Sequence, residues 1–129
     1  MAQVKIYALQ DFLDGNREAI SEAIHTALMS ELKLPEHKRF HRFIGLSEQD
    51  FVYPSDRSAQ YIILEFNIFE GRSVVAKKCL IHAVFNNLQQ QLGIDPNDVE
   101  ITLIESPKQN WGIRGKCADE LTLDYKVEL

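Results

Sequence analysis

Residues 61–69 read YIILEFNIF, and this stretch decides the fold. Apolar side chains occupy both alternating faces of the stretch, which is typical of a strand in the middle of a sheet. Gly71 and Ser73 follow as a turn and a helix cap, and a helical apolar stripe then runs as far as Gly93. Residues 99–103 alternate again as a strand. The region is therefore predicted to form a β-α-β unit.

The same pattern occurs once more near the amino terminus. A short alternating stretch precedes a break with Asp14 and Asn16 as candidate helix caps, an apolar helical stripe over 20–32, Pro35, and a predicted strand over 40–46. An offset of 60 residues superimposes the apolar positions Ile20, Ala23, Ile24, Leu28, Leu32 and Leu34 on Leu80, Ala83, Val84, Leu88, Leu92 and Ile94. The chain is therefore predicted to be two β-α-β units in tandem.

This repeat predicts the fold class and the domain organisation. Right-handed crossovers place both helices on one face of a four-stranded mixed sheet, an α/β (α+β) arrangement. We expect one domain over residues 1–129, with repeats at about 2–46 and 60–105 and a tail over 106–129 that holds a last short strand near 125–129.

The second face of this sheet has no helix to cover it. Because the strand at 61–69 is apolar on both sides, with Ile63 and Phe69 on this second face, we expect an exposed apolar surface. A monomer rarely exposes a large contiguous apolar patch. Self-association is therefore predicted.

Composition narrows the class of function. The chain has 129 residues, of which 45% are hydrophobic and 26% charged, and its net charge is −5, so nothing favours nucleic acid as a partner. No apolar run is long enough to span a membrane, and no leader is recognisable, so we predict a cytoplasmic location. Cys79 and Cys117 are predicted to be reduced, with a single disulfide as the alternative.

Five stretches, spread in order over nearly the whole chain, carry a family resemblance: AIHTAL (23–28), LPEHKRF (34–40), FEGRS (69–73), GIDPNDVEI (93–101) and NWGIRG (110–115). Together they resemble the tautomerase superfamily, whose fold is that of 4-oxalocrotonate tautomerase and macrophage migration inhibitory factor. They are most similar to the malonate semialdehyde decarboxylase-like branch. The resemblance implies a homotrimer, a small-molecule carboxylate ligand, no metal and no organic cofactor.

The resemblance also points to a site at the amino terminus. In that family the chemistry uses an amino-terminal proline close to paired arginines, but the matching position here is Ala2. Arg72 matches one arginine of the pair, while Glu70 occupies the position of the other, and Lys38 stands where the decarboxylase has an acid. The chain therefore resembles the family while lacking its catalytic proline.

Each of these residues has two interpretations. If Met1 is removed, Ala2 carries a primary amine that can move protons or condense with a carbonyl; alternatively, Ala2 only begins a strand. Either Arg72, between a strand and a helix, holds a carboxylate, or it is a solvated side chain paired with Glu70. A cation such as Arg72 or Lys5 would lower the pKa of the amine.

Two residues of the segment 106–129 complete the candidate site. Trp111, which matches a pocket aromatic of the family, either forms a wall of an apolar pocket or packs in the core. Arg114 is a candidate second contact to an anion, from the same subunit or a neighbouring one. The four histidines have no spacing that indicates a metal site.

Two functions follow from these observations. The first is a weak isomerase that catalyses a keto-enol 1,3-proton shift on a small carboxylate-bearing compound, with the Ala2 amine as base and acid. The alternative is a non-catalytic trimer that binds a ligand or a protein and lost its activity with the proline.

Overall fold

A computed structural model describes residues 1–129 and contains one four-stranded sheet, two long helices and a small hairpin. The strands are β1 (Ala2–Leu9), β2 (Phe40–Leu46), β3 (Ile62–Phe69), β4 (Val99–Ser106), β5 (Gly112–Ile113) and β6 (Lys116–Cys117). The helices are α1 (Gln10–Leu13), α2 (Arg17–Leu32) and α3 (Val74–Leu92). The predicted mixed α+β fold is confirmed, and the four-residue α1 is an addition to it.

The sheet joins the two β-α-β units through their first strands. Its order is β2-β1-β3-β4, in which β2 is parallel to β1, β4 is parallel to β3, and β1 is antiparallel to β3. Ile6 lies opposite Leu64, and Val4 lies opposite Phe66. An approximate two-fold axis therefore runs between β1 and β3, and both helices lie on the same side of the sheet.

The core lies between the sheet and the two long helices. Val4, Ile6, Leu64 and Phe66 are fully buried on the inner sheet face, and they pack against the apolar stripes of α2 and α3. Strand period two and helix period 3.6 bring these sets together. Burying one large apolar side chain contributes about 1.5–3 kcal/mol, so this layer provides most of the stability.

The outer sheet face is mixed rather than apolar, which corrects the expectation from the sequence. Lys5 of β1 lies opposite Glu65 of β3, with 3.6 Å between Nζ and Oε1. The alternation of β3 places Glu65 and Asn67 on this face beside Ile63, while Phe69 is covered by the carboxyl-terminal part of the chain. Ile104 on the edge strand β4 is 41% exposed.

The helix ends are partly as predicted. The Ser73 hydroxyl accepts a hydrogen bond from the Ala76 amide, and Gly93 ends α3 in the left-handed conformation, so both caps are confirmed. Asn16 precedes α2, but its side chain donates to the Phe12 carbonyl oxygen over 2.7 Å instead of capping α2. The short helix α1 therefore uses the side chain that we expected to cap α2.

Residues 121–129, called the C-terminal tail below, form no strand, which corrects the prediction of one near 125–129. The short pairing in this part of the chain is instead the hairpin of β5 and β6. Leu121, Leu123, Tyr125 and Val127 are at least partly buried, while the residues between them are exposed. The tail is therefore extended and packs through alternate side chains without a hydrogen-bonded ladder.

None of the helices is both long and apolar enough to cross a membrane.

Candidate functional site

The amino terminus begins inside the fold. Ala2 is 1% exposed at the start of β1, and Met1 packs beside a buried cluster around Phe69. Burial is the main reason why the pKa of the Met1 amine is lowered from 8.0 to about 4, and the positive charges of Arg72, Lys38 and Lys108 lower it further. The amine is therefore neutral at pH 7 and has a free lone pair.

Arg72, whose positive charge acts on this amine, is also buried. Its side chain is 5% exposed, its Nη1 donates to the Phe69 carbonyl oxygen over 3.2 Å, and its Nε and Nη2 have no partner. Burial also lowers the pKa of this guanidinium, although Glu105 and Glu128 oppose the shift. The alternative interpretation from the sequence, a solvated Arg72 paired with Glu70, is therefore wrong.

The turn that carries Arg72 is held by the C-terminal tail. Gly71 has a φ of 129°, and a Cβ placed there would come within 3.1 Å of Val127 Cγ1, so only glycine suits both the backbone and this contact. On the other side of Arg72, the Ser73 hydroxyl donates to the Leu129 carbonyl oxygen over 3.0 Å. The tail therefore closes over the turn and excludes water from Arg72.

A cavity of about 320 Å³ opens beside Met1. It is lined by Met1, Lys38, Phe40, Ile113, Arg114, Leu121, Leu123 and Tyr125. Six of these eight residues are hydrophobic, the other two are cationic, and none is acidic. Such a cavity suits a ligand that has an apolar part and a negative charge.

Of the four predicted site residues, Arg114 lines the cavity. Ala2 and Arg72 are buried and do not line it. Trp111 is not part of the cavity lining: it packs edge-on against Phe69 with 5.0 Å between ring centroids, and its Nε1 donates to the Ser106 hydroxyl over 2.8 Å. Trp111 thus supports the strand end next to Arg72.

Several residues of the site were missed by the sequence analysis. Lys108 was not named, and Lys38 was named only as a departure from the decarboxylase; both cations lower the pKa of the amine. Lys5 instead pairs with Glu65 on the outer sheet face. The leucines of the tail were also missed, although LTLDYKV at 121–127 has the alternation of an extended segment with one buried side. That alternation was the available signal.

A second polar cluster, in which His25 is buried and His41 is half-buried, lies between α2 and β2. His41 Nδ1 is 2.8 Å from the Ser21 hydroxyl, and His25 Nε2 is 2.9 Å from the Glu36 carbonyl oxygen. Burial, with the neighbouring His25 and Arg39, lowers the pKa of His41 from 6.5 to about 4, and burial likewise lowers the pKa of His25. The pair is therefore neutral at pH 7.

Known structures share this fold. Malonate semialdehyde decarboxylase superposes with a TM-score of 0.80 at 22% identity, over 89% of this chain and 93% of that chain. A fused 4-OT that forms a symmetric trimer superposes with a TM-score of 0.78 at 21% identity, over 91% of this chain and 96% of that one. At such identities the likeness concerns the fold alone.

Two proteins named as tautomerases are similar in sequence to this chain. The chain is 23% identical over 99 residues to the probable tautomerase YusQ of Bacillus subtilis strain 168, which covers 73% of this chain and 78% of the relative. It is 39% identical over 54 residues to 2-hydroxymuconate tautomerase of Comamonas testosteroni, which covers 42% of this chain and 86% of the relative.

The sequence pattern of a family described as "Tautomerase enzyme" matches residues 38–114. This match spans more than half of the chain and includes Lys38, Arg72, Trp111 and Arg114. With the fold and the buried amino terminus, it identifies the chain as a member of the tautomerase family.

Proposed function

We propose that this protein is an isomerase that catalyses a keto-enol 1,3-proton shift on a small carboxylate-bearing compound. The amine of Ala2, freed by removal of Met1, takes the proton from the carbon next to the carbonyl group and returns it to the enolate oxygen, or the reverse. Arg72 holds the carboxylate or the enolate oxygen. Arg114 and Lys38 contribute further positive charge.

One observation carries this proposal: Arg72 is buried with Nε and Nη2 unpartnered, and its positive charge acts on the buried terminal amine. Nε and one terminal nitrogen form the side-on fork that matches the two oxygens of a carboxylate. A buried donor without a partner costs stability, and an anionic ligand would satisfy two such donors at once. Their arrangement therefore supports an anion site at the amine.

The electrostatics of the site support proton transfer by a primary terminal amine in place of the secondary amine of proline. Burial and three cations lower the pKa of the terminal amine of the full chain to about 4. The amine of Ala2 would experience the same kind of surroundings, so a neutral fraction is available at pH 7. A base with so low a pKa accepts protons poorly, and for that reason we expect slow turnover.

Removal of Met1 is part of the proposal. Met1 lines the cavity and packs beside Phe69, whose carbonyl oxygen accepts from Arg72. Loss of this residue would extend the cavity towards Arg72 and place the new amine at its end. Ala2 is small, which suits removal of the preceding methionine.

We also propose a homotrimer and a cytoplasmic location. The trimer is supported by the outer sheet face, which no helix covers, and by the trimeric state of the fused 4-OT with this fold. The location is supported by Cys79 and Cys117, which are both free.

The alternative function, a non-catalytic ligand- or protein-binding trimer, is favoured by the alanine at position 2.

The test is the ketonisation of phenylenolpyruvate, followed by ultraviolet absorbance, with protein that starts at Ala2 by intact mass. We expect a rate above that of buffer, and its loss in Arg72→Gln. Arg17→Gln, an arginine of α2 remote from the site, is the matched control. Equal rates for protein and buffer across several enol acids would favour the binding function instead.

A further inference from the structure

We propose that the last four residues of the chain, 126–129, form a strap that covers the guanidinium of Arg72 and must detach before a carboxylate can reach it. The strap and an acid ligand therefore compete for one arginine, so the closed strap is an autoinhibitory contact. The inference rests on the proposed function, because it concerns access to the arginine of the same site.

In the closed structure Arg72 is out of reach of an acid. Its side chain is 5% exposed, and both Nε and Nη2 are buried without a partner. Arg72 does not line the cavity beside Met1, so an acid in that cavity does not touch the fork of Nε and Nη2. Loss of Met1 enlarges the cavity, but the strap still lies against the turn that carries Arg72. A ligand for the fork therefore requires the strap to move.

The strap contacts the residue on each side of Arg72. A Cβ placed on Gly71 would come within 3.1 Å of Val127 Cγ1, so the two residues are packed together. The Ser73 hydroxyl donates to the Leu129 carbonyl oxygen over 3.0 Å. The strap thus runs along the turn from the residue before Arg72 to the residue after it.

Few interactions hold the strap to the rest of the chain. Val127 is 2% exposed, whereas Lys126, Glu128 and Leu129 are exposed. The backbone hydrogen bond of the strap, from the Leu129 amide to the Val127 carbonyl oxygen over 2.9 Å, lies within the strap itself. One buried side chain and the hydrogen bond from Ser73 are the attachment. A segment held in this way opens locally far more often than the core unfolds.

Opening of the strap has a gain as well as a cost. It exposes Val127, but it lets water or a carboxylate reach two guanidinium donors whose burial without a partner costs stability. Burial lowers the pKa of Arg72, and Glu105 and Glu128 oppose this shift. When the strap leaves with Glu128, a bound carboxylate replaces its negative charge. An acid therefore shifts the population towards the open strap.

Labelling of arginines with phenylglyoxal tests the cover over Arg72 without any acid ligand or turnover. Peptide mass spectrometry gives the labelling rate of each arginine, and Arg17, whose side chain is 41% exposed, is the reference within the same chain. Val127→Asn removes the buried anchor of the strap. Val52→Asn makes the same change at a side chain that is 90% exposed between β2 and β3, and is the matched control.

We expect Arg72 of the parent to react at least about tenfold more slowly than Arg17, and Val127→Asn to raise the Arg72 rate by at least about tenfold. Val52→Asn should leave it unchanged. An Arg72 that reacts as fast as Arg17 in the parent would overturn the inference. So would an Arg72 that stays slow in a Val127→Asn protein whose fold is intact by circular dichroism.

A second pair of variants acts at the other attachment and leaves Val127 in place. Ser73→Asp keeps an oxygen that accepts from the Ala76 amide at the start of α3, but a carboxylate has no proton to donate to the Leu129 carbonyl oxygen. Ser73→Thr keeps both hydrogen bonds. Faster labelling of Arg72 in Ser73→Asp than in Ser73→Thr is expected, and equal rates would contradict the strap.

Competition between the strap and an acid is measured by calorimetric titration with benzoate, an unreactive carboxylate. Because the closed state does not bind, its loss raises the apparent affinity. Val127→Asn should bind benzoate about tenfold more tightly than the parent and than Val52→Asn. Weaker binding by Val127→Asn would overturn the inference, since the strap would then hold the acid instead of excluding it.

The labelling result separates this inference from the proposed function. A strap that controls labelling of Arg72 in a protein without proton transfer would leave the inference standing and refute the isomerase. Proton transfer by a parent whose Arg72 is labelled as fast as Arg17 would refute the inference and leave the isomerase standing.

Discussion

Arg72 Nη1 donates to the Phe69 carbonyl oxygen over 3.2 Å, and this one bond fixes the direction of the guanidinium. With Nη1 occupied, Nε and Nη2 remain as the side that can receive a ligand. The hydrogen bond thus turns a flexible side chain into a preorganised fork, which is the arrangement that stabilises developing negative charge.

Arg72→Lys tests whether the fork or the charge matters. Lysine keeps the positive charge but cannot bind both to Phe69 and to two carboxylate oxygens. We expect kcat/KM on phenylenolpyruvate to fall by about 10²–10³, close to the effect of Arg72→Gln. Arg17→Lys, on the surface of α2, is the control and should retain the parent rate. A lysine variant as active as the parent would show that charge alone is sufficient.

Ala2→Pro should raise the rate of the mature protein. A proline at this position supplies a secondary amine, and the first residue of a strand tolerates proline. The expected result is a higher kcat in the same enol assay at pH 7, with the trimer unchanged by sedimentation. If the Ala2→Pro variant shows no higher rate than the parent on several enol acids, the pocket does not support proton transfer.

Retention of Met1 should block the site. Protein that starts at Met1 and protein that starts at Ala2 can both be produced by cleavage of an amino-terminal fusion that leaves no extra residue. Because Met1 lines the cavity, we expect the longer form to lose enol ketonisation. Intact mass verifies each form. Equal activity of the two forms would remove the amine of Ala2 from the mechanism.

Ile104→Asp tests the trimer and its interface. Ile104 is 41% exposed on the outer sheet face, and Val75 is 70% exposed on α3, on the other side of the sheet. A charge at position 104 would be buried in a trimer formed through the outer face, whereas Val75→Asp would remain in water. Sedimentation should give a trimer for the parent and for Val75→Asp, and smaller species for Ile104→Asp. A monomeric parent at micromolar concentration would refute the trimer.

The buried histidine pair predicts a loss of stability in acid. His41 has a pKa of about 4 in the folded chain and 6.5 when unfolded, so the unfolded state binds more protons between these values. Stability therefore falls as the pH falls through this window. After allowance for partial exposure, the loss is about 2 kcal/mol. Urea unfolding should show a weaker pH dependence in His41→Asn than in the control His82→Asn, an exposed position on α3; equal dependence would contradict this origin.

The sequence predicts the fold well because the core repeats. Strand alternation and helical stripes at an offset of 60 residues gave both β-α-β units, and the Ser73 and Gly93 caps are where expected. The prediction of an apolar outer sheet face was wrong because it rested on the overall apolar content of YIILEFNIF, whereas Glu65 and Asn67 of this stretch lie on that face.

The site was less predictable than the fold. The turn signals located Arg72, but its burial depends on the distant tail through Val127 and Leu129. The effect of Lys38 on the amine arises because β2 pairs with β1, a contact that no local pattern indicates. Side chains brought together from different ends of the chain leave no signal at a fixed spacing.

The two-fold repeat of the sheet has a consequence for stoichiometry. At the offset of 60 residues, Arg72 corresponds to Phe12, an aromatic side chain packed against the core. Ala2 corresponds to Ile62, a strand residue inside the chain. Duplication of a β-α-β unit thus copied the scaffold but not the chemistry, since a chain has only one free amino terminus. Each chain should saturate with one equivalent of acid, and a three-chain assembly with three rather than six.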